Sequence, residues 1–122
     1  MEGAGELGMM LGSTILWRGE ATWINLPSRA DFQGEYYLRQ AQERFTPEME
    51  NPGFFRLIVD SYRDPDSIGS GRAIVVAPGK ALERLTEGDH VAVLGRLAGT
   101  DLVVGSMIVC AEEVLILNRA GP

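Results

Sequence analysis

Arg72-Ala-Ile-Val-Val-Ala77, Pro78-Gly79, Lys80-Ala-Leu-Glu-Arg-Leu85, Glu87-Gly88-Asp89 and His90-Val-Ala-Val-Leu-Gly-Arg-Leu97 make up the stretch on which the fold turns. Arg72 to Ala77 is short, apolar and rich in β-branched residues, which is how a strand reads. Pro78-Gly79 breaks it, because proline has no N–H for the ladder. Lys80 to Leu85 carries no β-branched residue and is long enough for one or two helical turns. Glu87-Gly88-Asp89 turns the chain, and His90 to Leu97 is again a strand. A small helix therefore lies between two strands.

Upstream, Ser13 to Trp23 alternates, with Ile15, Trp17, Gly19, Ala21 and Trp23 on an apolar face and Thr14, Leu16, Arg18, Glu20 and Thr22 on the other. That spacing predicts a half-buried strand with a bend or bulge at Gly19, and both tryptophans in the core. Phe54 to Tyr62 is a second alternating strand, with Phe55, Leu57 and Val59 inward and Phe54, Arg56, Ile58, Asp60 and Tyr62 outward. Between them the prolines at 27, 47 and 52 frame Glu35 to Phe45, whose Tyr37, Leu38, Ala41 and Phe45 share one helical stripe. The span 25–52 thus reads as an insertion carrying a short amphipathic helix. Arg63 to Gly71 is dense in turn formers and reads as a mobile loop. Ala98-Gly99-Thr100-Asp101 reads as a turn, and Leu102 to Leu117 as a last long β segment bent at Gly105. Five strands with a helix between the third and fourth is the element order of an all-β OB-fold barrel. Residues 1–11 form a loosely ordered lead-in, and residues 12–118 a single domain.

A length of 122 residues fits one core, and 45% apolar with 23% charged residues fits a folded globular chain. No apolar run approaches the roughly 20 residues that cross a bilayer, and the start lacks a secretory pattern, so the expectation is a soluble cytoplasmic protein with no membrane contact. One cysteine, Cys110, and one histidine, His90, rule out an intrachain disulfide and a Cys/His zinc site within the chain. The net charge of −6 opposes indiscriminate binding to duplex phosphates. Ten of the eleven basic residues are arginine, however, and guanidinium both forks onto phosphate and stacks on flat rings.

Catalytic patterns are weak. Gly3-Ala4-Gly5-Glu6-Leu7-Gly8 has dinucleotide-type glycine spacing but no preceding strand, and Gly79-Lys80 lacks the rest of a phosphate loop. Asp64 and Asp66 bracket a proline in a turn, and Glu112 and Glu113, adjacent on a strand, should point to opposite faces. His90 reads as a partly exposed strand residue and Cys110 as a core residue. The expectation is a non-enzyme without metal or cofactor. What remains is a surface on which Phe54 and Tyr62 offer rings and Arg56 and Arg72 offer guanidinium groups, the combination that holds single-stranded nucleic acid. A protein interface or the underside of the inserted helix would use the same rings.

Ile74-Val-Val-Ala-Pro-Gly79-Lys80-Ala-Leu-Glu83-Arg84-Leu85, Gly88-Asp89-His-Val91-Ala-Val93-Leu-Gly95-Arg96-Leu97 and Ala111-Glu-Glu-Val114-Leu-Ile-Leu117 resemble the second half of the bacterial single-stranded DNA-binding proteins, and Ser13 to Gly19 resembles their opening strand. The resemblance spans residues 73–117. It implies a barrel that binds single-stranded DNA, assembles as a dimer or tetramer, and uses Arg72, Lys80 and Arg96 on its binding surface. The insertion 25–52 departs from that family, as does the ending Asn118 to Pro122, which carries no acidic tail. Trp17-Arg-Gly19, Gly71-Arg72 and Val93 to Gly99 also resemble pieces of the Slp family of outer-membrane lipoproteins, which implies a small β-barrel and requires a lipidated cysteine that these residues lack. The alternative function is an OB-like module for protein–protein assembly.

Overall fold

The computed structural model describes residues 11–26, 37, 39, 49–60, 71–101 and 106–121. Alternating apolar residues produce strands β1 (Thr14–Asn25), β2 (Pro52–Val59), β3 (Arg72–Pro78), β4 (His90–Asp101) and β5 (Ser106–Asn118), with one short helix, α1 (Gly79–Glu83), between β3 and β4. The strands close a barrel in the order β1-β2-β3-β5-β4, with β4 returning to β1. Neighbours are antiparallel except β3 and β5, which run parallel through Ala73–Val76 and Met107–Cys110. This arrangement is consistent with the OB-like barrel expected from the sequence.

The alternation on β2 sorts as read. Phe55, Leu57 and Val59 enter the barrel with Ile15, Ala21, Val75, Val91, Val93 and Val109, and Trp17 packs against that core from β1. A second cluster lies outside the barrel wall: Phe54, Ile74, Val76, Ile108 and Cys110 are covered by Tyr37 and Met49, with Ala98 beside them. β3 is therefore buried on both faces, which explains why Ala73 to Ala77 is an uninterrupted apolar run rather than an alternating one. Of the expected inserted helix, only Tyr37 and Arg39 fall within the described residues.

Gly19 marks the point where β1 changes partners, facing Val59 of β2 and Val91 of β4 at once. A Cβ there would collide with the main-chain oxygen of Ile58, so only glycine permits the approach. The expected irregularity in β1 lies further on. The register with β2 slips between Thr22 and Asn25, and Trp23 takes φ +50°. That slip overturns the placement of Trp23 in the core: one extra residue reverses the face of everything at the bulge, and the ring emerges outside.

The other departures lie in β4 and β5. Ala98 to Asp101 is not a turn but the end of β4, paired with β5 as far as Asp101 opposite Ser106. Leu97 meets Val109 and Gly99 meets Ile108, so the small residues there make a register slip that the ladder absorbs. A further slip sets Leu94 opposite Glu113 and Gly95 opposite Ala111, leaving Glu112 as the extra residue. Glu112 and Glu113 are consequently both exposed, contrary to strict alternation.

The loop after α1 is fixed by Asp89. Its fully buried carboxylate accepts the Thr86 N–H at 2.8 Å, the Ala120 N–H at 2.7 Å and the Arg119 Nη1 at 3.2 Å. Burial opposes the charge, but the Ala120 and Thr86 N–H groups and the Arg119 guanidinium outweigh it and hold the carboxyl below its ordinary value. Arg119 also donates to the Arg84 carbonyl at 2.8 Å, so the end of β5 is tied back to α1.

Candidate nucleic-acid interface

The outer surface of β1, β2 and β3 is a ladder of cross-strand rungs. Glu20, Ile58 and Arg72 share one, and Thr22, Arg56 and Ile74 the next. Phe54 and Val76 form the third, where Trp23 reaches over from the bulge. The surface divides along these rungs. Its Phe54 end is roofed by Tyr37 and Met49, with Trp23 exposed at the margin of that roof, while Arg56, Ile58 and Arg72 keep solvent access toward the other end.

Phe54 is therefore corrected as a stacking platform. It does project outside the barrel, but it is 2% exposed, with Tyr37 and Trp23 both edge-on at 5.3 Å between ring centroids. A base cannot reach its face. Burying a large ring is worth more to the fold than leaving it wet, and the neighbouring insertion supplied a partner. Tyr62 lies outside the described residues.

Trp23 stands where Phe54 was expected. The residue is 37% exposed, and its ring rests edge-on against Phe54 with the Arg56 guanidinium carbon 5.9 Å from its centroid. Arg56 is held in place from below, its Nε donating to Thr22 Oγ1 at 3.2 Å while that hydroxyl donates to the Arg56 carbonyl at 3.3 Å. The bulge is braced as well: the Trp23 N–H donates to Glu87 Oε1 at 3.0 Å, and the Asn25 amide donates to the Trp23 carbonyl at 2.9 Å. A left-handed backbone at a bulky residue costs of order 1 kcal/mol or more, and these two bonds offset it. The signal for this residue was absent from the alternation, because a bulge is invisible to a period of two.

The remaining basic residues separate. Arg72 is exposed one rung from Arg56 and has no carboxylate within ion-pair distance among the described residues. Arg96 lies on β4 opposite Thr14, with its Nε 3.0 Å from Glu112 Oε2. Lys80 lies at the far end of β3, in a cleft with Glu50, Asn51 and Glu83. Arg56 and Arg72 thus share a surface with Trp23, and Lys80 and Arg96 do not. His90 is engaged with Asp60, Nε2 to Oδ2 at 2.6 Å, and Cys110 is buried in the outer cluster. Among the described residues no three acidic, histidine or cysteine side chains cluster as metal ligands, and no helix is long and apolar enough to cross a membrane. No family model matches the chain, and no curated protein matches it.

Proposed function

We propose that the barrel binds single-stranded nucleic acid without catalysis, on the open end of the outer β1–β2–β3 surface. The observation that carries this reading is Trp23, a partly exposed residue on a braced bulge with Arg56 beside its ring and Arg72 one rung beyond Arg56. Oligonucleotide-binding OB barrels use the outward side of strands 2 and 3. A base stacking on Trp23 would gain about 1–3 kcal/mol, and the two guanidinium groups would take adjacent phosphates. Glu20, on the Arg72 rung, sets a boundary that phosphate avoids. Single-stranded DNA as the natural ligand, and assembly as a dimer or tetramer, belong to the same proposal and rest on the family resemblance.

The test is a titration with oligothymidine, read by tryptophan fluorescence at low and moderate salt. Binding should be saturable and quench the indole. Trp23→Ala should weaken it by about 5–150-fold, the range of one lost stacking contact. Changing both Arg56 and Arg72 to Ala should also flatten the salt dependence. Arg96→Ala, removing a guanidinium already engaged by Glu112, should change little. Folded protein that shows no binding at tens of micromolar in low salt would overturn the proposal.

The second reading, a protein assembly module, is favoured by a different observation. Leu16 and Leu94 face each other across β1 and β4 with Leu115 on β5 nearby, and Leu16 and Leu115 are 63% and 53% exposed. An outward apolar band of this kind is what an interface covers.

A further inference from the structure

β5 outlasts the strand beside it. The parallel pairing with β3 ends at Val76 and Cys110, while β5 remains paired to β4 as far as Asn118. Beyond Cys110, the side of β5 turned away from β4 has no strand against it among the described residues. The direction of its main-chain groups follows from β4. Leu97 donates its N–H to the Ser13 carbonyl and accepts from the Gly12 N–H, and the Asp89 carbonyl accepts from the Ala21 N–H. From Asp89 to Leu97, odd-numbered residues therefore turn their main-chain groups toward β1, and even-numbered ones toward β5. Glu113 opposite Leu94 and Leu115 opposite Ala92 bond to β4, so the N–H and C=O of Val114 and Ile116 face the open side.

That edge lies in a groove. Two adjoining clefts share Arg84, Val114 and Leu115, with α1 as the opposite wall, Glu112 and Glu113 at one end and Arg119 at the other. Leu115 and Leu117 are 53% and 47% exposed on the strand side. The charges are unevenly satisfied. Arg119 is tied to Asp89 and Arg96 to Glu112, whereas Arg84 in the middle of the groove has no carboxylate within ion-pair distance among the described residues. Outward main-chain donors and acceptors call for an extended chain, and the Arg84 guanidinium, set beside Val114 and Leu115 between the Glu112–Glu113 end and the Arg119 end, calls for one acidic residue among apolar ones.

We propose that the open edge of β5, from Ala111 to Leu117, takes up an extended peptide segment of another protein by strand addition. The segment carries a carboxylate opposite Arg84 and apolar side chains that lie along Leu115 and Leu117. The main-chain bonds supply affinity and Arg84 sets register. The α1 wall favours a single extended chain over the flat edge of a second barrel. This site is separate from the Trp23 surface and does not depend on it.

Random peptides displayed on phage and selected on the full chain provide the probe. Enriched peptides should alternate apolar residues around an Asp or Glu, and Arg84→Glu should weaken them at least about tenfold while a peptide with Lys in place of that acid recovers. N-methylation of alternate peptide nitrogens should abolish binding in one phase of the alternation only. In amide hydrogen exchange, Val114 and Ile116 should exchange quickly in the free protein and slow on peptide binding, while Glu113 and Leu115 stay protected throughout. The proposal is overturned if no peptide is enriched, if binding ignores both Arg84→Glu and N-methylation, or if oligothymidine displaces the peptide. Protection of Val114 and Ile116 in the free protein would also overturn it, since a second copy or the chain itself would then cover the edge.

Discussion

Trp23 owes its exposure to a main chain that has left the ladder, and its neighbours show how finely single positions are set. Gly19 is the tightest of them. Gly19→Ala drives a methyl into the Ile58 carbonyl at a point where β1 is held by two strands, so it should lower unfolding free energy by at least about 2–3 kcal/mol, measured by denaturant titration. Asp89 makes a pH-dependent contribution. Its carboxyl is held below the ordinary value in the folded state, so the stability it adds is fully present above the unfolded value of about 3.9 and is lost as pH falls through the folded value. Asp89→Asn should cost about 1–3 kcal/mol at neutral pH, and the gap between the two proteins should narrow only below about pH 4. A gap unchanged down to the acid limit would show that the charge contributes nothing.

Among the elements, β2 and β3 are the pair whose reading needed the structure most. The alternation assigned Phe55, Leu57 and Val59 to the interior correctly because a strand's period of two is strict where no residue is inserted. The same alternation placed Phe54 outside the barrel, also correctly, but it holds no information on what a distant segment lays over that side. Tyr37 and Met49 reach Phe54 from an insertion whose packing is a long-range property, so a ring that looked available is sealed. Phe54→Ala should behave as a core truncation, lowering stability by about 3–5 kcal/mol, and should not act as a selective loss of oligonucleotide binding. Thermal unfolding monitored beside the oligothymidine titration distinguishes the two. The order of strands and the position of α1 were legible because proline, glycine and β-branched residues punctuate locally. The slips at Trp23, Gly99 and Glu112 were not, because a bulge changes register without changing composition. Arg56 and Arg72 were legible as a pair since they are on adjacent strands one rung apart, whereas Trp23 joined them only through a bulge.

For the molecule as a whole, a net charge of −6 must coexist with an arginine surface. Two phosphate contacts on a single strand predict a slope of log affinity against log salt near about −1.4, twice the roughly −0.7 of a single contact. A much steeper slope, measured over a salt series, would mean that basic residues beyond Arg56 and Arg72 take part. The barrel is also closed unevenly. β4 and β5 are joined through eleven residue pairs between neighbouring segments of sequence, while the parallel union of β3 with β5 holds only four pairs and spans residues far apart. Chain entropy costs more for the second, so the β4–β5 hairpin should form early in folding and the β3–β5 closure after it. Truncating Val75, on β3 and outside the hairpin, should then mainly hasten unfolding, whereas truncating Val93, inside it, should mainly slow folding, a contrast that stopped-flow kinetics would register as low and high transition-state structure.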